Sequence, residues 1–369
     1  MKRVRFLVVG GFLGAGKTTA LLRLAAHYQR LGRRVGLITN DQAANLVDTA
    51  AVAAGGFRVE EVAGACFCCK FDDLVRLAES LRVEEGHDER PVVLIGEPVG
   101  SCTDLAATVV QPLQRLYGDR YSLAPYSVLV DPNRARQIVL ERGFGGFSAK
   151  VAYVFQKQLE EADLIGLNKV DLLAPGQREE LLAALAREFP KARVLPISGL
   201  TGEGFDAFCA ALDADDPAGR NIAEVDYDLY AEGEAELGWL NVAIELTAGA
   251  PLSAESLVSE LVLAIRRELS GQGEVAHLKV LFEAGSDRAI ANFVGSGSTV
   301  RVSRPGGFAA AGGRVVINAR AHLAPDLLLA AFERAQQSVF ARLGATAKVI
   351  DEAHFRPARP VPTHRVDAS

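Results

Sequence analysis

Along residues 1–212, short apolar runs rich in β-branched residues alternate with stretches of helical periodicity, a pattern that predicts a parallel sheet with crossover helices. Strands are predicted at 4–9 (VRFLVV), 34–39 (RVGLIT), 91–96 (PVVLIG), 126–131 (YSVLVD), 163–168 (DLIGLN) and 193–198 (RVLPIS). Several of these runs lack polar alternation, as expected of strands buried on both faces. The acidic segment 213–221 (DADDPAGRN), with Pro217 and Gly219, reads as a linker. Beyond it, Ser253 is placed to cap a helix whose apolar face is Leu257, Leu261, Val262, Ile265 and Leu269 and which Gly271 ends. Strands at 275–284, 288–294, 299–303 and 314–321, then a helix opened by Pro325 and closed near Gly344, complete a small α+β unit. Residues 354–365 (HFRPARPVPTHR) have no apolar periodicity and read as an extended or mobile arm. The organisation expected is thus an α/β domain over 1–212, a linker over 213–225, an α+β domain over 226–350 and a proline-containing tail over 351–369.

Composition narrows the partners. The formal charge of -6 offers no global basic surface, so binding to nucleic acid by phosphate neutralisation is disfavoured. The start, MKRVRFLVVGGFLGAG, resembles a secretory signal, but Gly10, Gly11 and Gly14 break the apolar run and it continues into Lys17, Thr18 and Thr19. No stretch approaches the roughly 18 to 20 apolar residues that cross a bilayer. A cytoplasmic protein without membrane contact is expected, with its thiols reduced; five cysteines, three of them at 66–69, fit no disulfide framework.

Gly11-Phe12-Leu13-Gly14-Ala15-Gly16-Lys17-Thr18 matches the P-loop pattern and stands between a predicted strand and a predicted helix. In that setting the backbone amides around Gly14, Ala15, Gly16 and Thr19 can wrap phosphates, Lys17 contacts the outer phosphates, and Thr18 binds Mg²⁺. The alternative is a glycine-rich turn with a chance lysine. Asn168-Lys169-Val170-Asp171 follows another predicted strand. Asp171 can accept from the N1–H and 2-amino group of guanine, a donor pair that adenine lacks; Asn168 would hold the purine edge and Lys169 the face of the base. Ser198 and Gly199 stand one strand further on, where a loop closes over the base, and GTP is preferred to ATP. An ordinary capped strand-to-helix turn is the competing reading of these four residues. Glu97 ends the run VVLIGE, where an acid can reach Mg²⁺ through water or hold the attacking water; the alternative is a turn carboxylate. The segment after the second strand, with Asn40, Asp41, Gln42 and Asp48, is a candidate switch, and Asp41 joins Lys17 and Glu97 as a candidate catalytic residue.

Cys66, Cys68 and Cys69 allow three readings. A Cx1C pair can aim two sulfurs at one ion with a third beside them, suiting Zn²⁺ and leaving Co²⁺, Ni²⁺ or Cu⁺ open. Without a second CxxC or paired histidines, such a site is incomplete and exchangeable. Redox chemistry between Cys66 and Cys69 is the second reading, and plain packing, as expected for Cys209, the third. Cys102, five residues past Glu97, stands where it can approach the same place. His27, His87 and His277 read as solvated or packing residues, while His354 and His364 flank the prolines and could assist metal capture.

GFLGAGKTT at 11–19, CFCC at 66–69, Glu97 with Gly100, and QLEEADLIGLNKVDL at 158–172 together resemble the CobW-type GTPases, relatives of the nickel-delivery GTPases UreG and HypB. The resemblance implies a P-loop NTPase domain followed by a smaller α+β domain, and a GTP-hydrolysing metallochaperone using GTP and Mg²⁺. The cargo it implies, on Cys66, Cys68 and Cys69, is a transition metal such as Zn²⁺ or Co²⁺, passed to a client metalloprotein or cofactor-assembly protein. It also allows a nucleotide-dependent homodimer. Three departures stand out: Asn40-Asp41-Gln42-Ala43-Ala44 loses the family's second switch acid, Glu97 is followed by Pro98 and Val99 instead of small hydroxyl residues, and no histidine-rich stretch is present. The rival expectation is a GTP-dependent protein switch that assembles or protects a metal- or corrinoid-dependent enzyme without carrying the ion.

Overall fold

Phe6, Leu7, Val8 and Val9, each at most 2% exposed, form the centre of a strand that can only be buried on both faces, and the rest of the first unit is built outward from it. The computed structural model describes residues 3–41, 57–82, 92–295, 299–304 and 307–367. The described chain divides into two compact units. One runs to Gly233 and also takes in the residues from Arg359 onward; the other is Glu234–Ala358.

In the first unit, β1 (Val4–Gly11), β2 (Arg34–Asp41), β3 (Arg58–Ala63), β4 (Val92–Glu97), β5 (Tyr121–Leu123), β6 (Ser127–Val130), β7 (Leu164–Leu167) and β8 (Arg193–Pro196) form one sheet. Its order is β3-β2-β4-β1-β6-β7-β8, with β5 also against β1, and every pairing is parallel. The helix Lys17–Arg30 buries Leu21, Leu24, Ala25 and Tyr28 in one core with Leu7, Val9, Leu37 and Ile95. Parallel strands all end on the same side, so the segments after β1, β4, β7 and β8 emerge along one edge, where open α/β sheets bind ligands.

Two strands escape the apolar pattern. The β3 sequence RVEEVA carries Glu60 and Glu61 and reads as solvated, yet it occupies the sheet edge, where polar residues are tolerated. β5 is only three residues long. Segment 213–221, expected as a linker, is fastened to this unit. Gln111 Nε2 donates to the carbonyls of Ala218 (3.2 Å) and Gly219 (3.0 Å), and the buried Asp163 carboxylate accepts from the amides of Gly219 (2.5 Å) and Arg220 (3.2 Å).

The second unit is a six-stranded antiparallel sheet of β9 (Gly238–Ser253), β10 (Val275–Ala284), β11 (Asp287–Phe293), β12 (Arg301–Arg304), β13 (Ala309–Ala321) and β14 (Ala345–Phe355), ordered β12-β11-β10-β13-β9-β14. Ser253 Oγ accepts from the Ser256 amide (3.4 Å), capping the helix Ala254–Leu269, whose predicted face is buried against the sheet. Helix Pro325–Leu343 adds Leu328, Phe332 and Val339 to the same core. The α/β-then-α+β class expected from the sequence is the one observed. β9 and β14 were not predicted, and the last five residues of β14 lie in the stretch expected as tail: β14 is a largely exposed edge strand with little apolar alternation. Among the described residues, no helix is long and apolar enough to cross a membrane.

Candidate functional site

β1 runs into the P-loop at Gly11, and the next helix opens at Lys17. Gly11, Gly14 and Gly16 hold φ of 134°, 81° and 87°, which side chains rarely adopt. At Gly16 an added Cβ would stand 2.5 Å from Asn168 Nδ2, so glycine is required by space as well as by backbone. The first turn of the helix carries no acidic residue, leaving its positive end for an anion. Lys17 Nζ folds back to donate to the Gly11 carbonyl (2.8 Å), and Thr18 Oγ1 donates to Glu97 Oε1 (3.3 Å) at the end of β4. Lys17, Thr18 and Glu97 are buried. A hydroxyl and a carboxylate side by side at a phosphate cradle are hard oxygen donors that fit Mg²⁺.

The segment Asn168–Asp171, expected to read the base, is fastened to this loop. Asn168 is buried, its Nδ2 donating to the Ala15 carbonyl (2.8 Å) and its Oδ1 accepting from the Gly199 amide (2.9 Å), so it clasps the P-loop to the loop after β8. Lys169, in left-handed backbone at φ 60°, donates to the Gly14 carbonyl and to Asp131 Oδ2, both at 2.7 Å. Asp171 is exposed, and its Oδ1 accepts from the buried Ser198 hydroxyl (2.6 Å), which fixes the carboxylate. Arg23 Nε donates to the Gly199 carbonyl (2.7 Å), holding that loop on the P-loop helix. Thr19 is exposed on the same helix. Asp41 is the last residue of β2, paired with Ala63; its side chain, Gln42, Asp48 and His87 lie outside the described residues.

The cysteines occupy the turn between β3 and the helix Phe71–Arg82. The amides of Cys69 and Lys70 both donate to the Cys66 carbonyl (3.0 Å), curling the chain so that its sulfurs converge. Asn40 anchors this turn: its Nδ2 donates to the carbonyls of Val62 (2.8 Å) and Ala65 (2.7 Å), and its Oδ1 accepts from the Phe67 amide (2.8 Å). Phe67 is wholly buried, and a Cβ at Gly96 would stand 3.3 Å from its ring, so the turn is seated on β4. Cys66 Sγ lies 3.0 Å from Cys68 Sγ and 3.2 Å from Cys69 Sγ, with 3.8 Å between the latter two. Thiolates about 2.3 Å from a tetrahedral ion stand roughly 3.8 Å apart, so shifts of less than about 1 Å separate this cluster from the spacing such an ion requires. Among the described residues, these three form the one group of such side chains whose ligand atoms all fall within 4.8 Å of one another.

Hydrogen bonds from Cys102, then from Cys68 and Cys69, pull the Cys66 thiol well below its ordinary pKa despite its burial. Cys68 is pushed well up by its bond to Cys66, and Cys69 up to about 11 by the same partner. Within the cluster the thiolate is thus favoured at Cys66 over Cys68 and Cys69, and an ion held by all three sulfurs would displace their remaining protons. Cys102 is brought against Cys66 by a loop that Gln158 secures, its Nε2 donating to the carbonyls of Gly100 (3.0 Å) and Cys102 (2.8 Å). Buried Glu161 accepts from Thr103 Oγ1 (3.1 Å) and the Ala106 amide (2.8 Å). Cys209 packs in the core, its thiol pushed up to about 12 chiefly by burial. His27 stacks edge-on to Tyr28, and His354 stands 3.4 Å from Asp326 in the second unit.

Gln158 and Glu161 fall in the stretch 158–172 that carried the resemblance, but neither they nor Asp131 was given a role from the sequence, where they are ordinary polar residues in helical or turn contexts. Asn40 was noted as a switch residue, whereas its side chain here organises the cysteine turn.

A strand, a glycine loop closing on Lys17-Thr18, and an acid at the end of the adjacent strand define a P-loop nucleotide-binding domain. Residues 5–196 match the family CobW/HypB/UreG, nucleotide-binding domain, and the chain belongs to that family. It is 25% identical over 177 residues to the zinc chaperone YeiR of Escherichia coli K12, a match covering 47% of this chain and 49% of that protein. With the zinc chaperone CobW of a Sinorhizobium species the identity is 26% over 181 residues, 45% of this chain and 51% of that one. The chain thus spans about half the length of the curated relatives it matches. The Zn(II)-bound YjiA GTPase of E. coli aligns over 90% of this chain and 99% of its own, at 19% identity and a TM-score of 0.39.

Proposed function

We propose that this protein is a cytoplasmic, GTP-hydrolysing metallochaperone that takes up Zn²⁺ or Co²⁺ at Cys66, Cys68 and Cys69 and hands it to a client metalloprotein or cofactor-assembly protein. The observation that carries this reading is the convergence of three sulfurs in the same unit as the phosphate cradle, on a turn anchored by Asn40 at the end of β2 and seated on β4, the strand that ends in Glu97. The relatives named zinc chaperones support zinc as the cargo.

In this reading GTP draws Lys17 off the Gly11 carbonyl onto its outer phosphates, and the backbone from Gly14 to Thr19 cradles them. Thr18 and Glu97 hold Mg²⁺, which when bound neutralises the phosphate charge. Asp171, oriented by Ser198, accepts from the guanine edge, Lys169 covers the base, and Glu97 with Asp41 orients the attacking water. A γ-phosphate-dependent shift at the ends of β2 and β4 reaches the cysteine turn directly, because Asn40 and Phe67 rest on those strands.

The test is zinc titration of the reduced, anaerobic protein by competition, with GTP and Mg²⁺, with GDP, and without nucleotide. Affinity that rises about tenfold with GTP, a coupling of about 1.4 kcal/mol, and disappears on replacing Cys66, Cys68 and Cys69 with serine supports the carrier. Affinity indifferent to nucleotide and to the cysteines sinks it and leaves the protein-switch reading.

A further inference from the structure

The proline-containing C-terminal segment, expected as an extended or mobile arm, is extended but docked on the cysteine turn within the first unit. The Val361 amide donates to Cys69 Sγ (3.3 Å). The Thr363 amide donates to the Cys68 carbonyl (2.8 Å), and its Oγ1 to the Cys69 carbonyl (3.2 Å). His364 sets its ring edge-on to Phe71, the first residue of the helix after the cysteines, with centroids 4.9 Å apart. Arg365 Nε then donates to Asp104 Oδ2 (2.8 Å), and the Val366 amide to the Ala107 carbonyl (3.0 Å). Asp104 is buried two residues beyond Cys102, in the loop that follows Glu97. One short segment therefore binds both cysteine-bearing loops and gives a hydrogen bond to a sulfur.

Local sequence explains the aim of that bond. Pro360 and Pro362 have no N–H and restrict φ, so the Val361 amide is the only backbone donor in its tripeptide, carried on a backbone already biased towards extension. The residue is 72% exposed, so it contributes here through its amide and not through packing. An N–H directed at sulfur favours the thiolate over the thiol, and partners of this kind around metal ligands tune retention of the ion.

Resting on the reading that the cysteines carry a metal ion, we propose that residues 361–366 are a working part of that site: the Val361 amide is an outer-sphere donor to the Cys69 sulfur, and the segment retains the ion by holding the two loops together. Release of cargo then requires the segment to let go of the cysteine turn.

The experiment uses the reduced full chain, measuring Zn²⁺ affinity against a chromophoric chelator and the rate of zinc transfer into excess EDTA. Val361→Pro removes the amide donor where the flanking prolines already impose an extended backbone, and Val361→Ala keeps it. Arg365→Gln loosens the far anchor at Asp104. Val361→Pro is expected to lower affinity about tenfold and speed transfer, Arg365→Gln to move both in the same direction, and Val361→Ala to match wild type. Wild-type affinity and transfer rate in Val361→Pro overturn the proposal. If that variant does not fold, wild-type values in Arg365→Gln overturn it instead. A wild-type protein that takes up no zinc sinks the carrier reading and this proposal together, whereas zinc-binding wild type with an unaltered Val361→Pro sinks only the latter.

Discussion

Asn168→Ala separates two roles that a motif alone cannot distinguish. The side chain is 2% exposed and makes two bonds at about ideal length, to the Ala15 carbonyl and from the Gly199 amide. Truncation leaves a buried acceptor and a buried donor without these partners. Each costs about 1–3 kcal/mol, so with some relaxation the unit should lose about 2–4 kcal/mol of stability. Because the lost bonds span the P-loop and the loop after β8, local opening should rise there first. At 1.4 kcal/mol per factor of ten, amide exchange over 11–16 and 198–202 should accelerate by a factor of about 30 or more. Asn168→Asp keeps the acceptor for Gly199 but turns a carboxylate oxygen towards the Ala15 carbonyl, so it should be no milder. The assay is urea unfolding followed by far-UV circular dichroism, with hydrogen exchange read by peptide mass. Stability within about 0.5 kcal/mol of wild type, wild-type exchange in both loops and a loss confined to guanine nucleotide affinity would refute the clasp and return Asn168 to the purine edge.

Asp171→Ala should erase a preference of about tenfold or more for GTP over ITP, since inosine lacks the 2-amino donor and a hydrogen bond to a charged group is worth about 1.5–3 kcal/mol; equal discrimination in variant and wild type, measured by competition binding, counts against a guanine-reading aspartate. Gly16→Ala forces a side chain into φ 87° and within 2.5 Å of Asn168 Nδ2. It should cost about 1–3 kcal/mol and weaken nucleotide binding, and a neutral outcome in urea melts contradicts the packing described. Glu161 is held well above the usual carboxylate pKa, chiefly by burial. It stays protonated in the fold at pH values where the unfolded chain has ionised, so the unfolded state binds fewer protons and stability contributed by this group falls as pH rises above about 4.3. Glu161→Gln should flatten that slope above about pH 4.3, and an unchanged slope in urea midpoints would assign it to other groups.

Several features were legible because they depend on neighbours in the chain. The runs at 4–9 and 164–167 are apolar enough to demand burial on both faces, the 253–271 helix carries its own cap and stripe, and the P-loop glycines announce backbone angles that little else adopts. CFCC was legible as a cluster, since three thiols in four positions cannot be far apart. The edge strands β3 and β14 were not, because an edge position tolerates the polar composition that also marks a loop. The role of the tail was not legible either: an unpatterned proline segment looks the same whether it is solvated or docked.

By itself the sequence determined the central strands of the first sheet, the capped helix at 253–271, the position of the phosphate loop and the identity of the candidate sulfur ligands, all of which follow from periodicity, backbone restriction and chemistry within a few residues. Tertiary structure alone decided which polar groups meet. Asn168 reaches Ala15, Asn40 gathers the cysteine turn, Cys102 approaches Cys66, and Val361 points its amide at Cys69 from 292 positions away. Hydrogen bonds act over about 3 Å, and the burial that makes them necessary is set by the packing of the whole unit, which no local pattern of residues encodes.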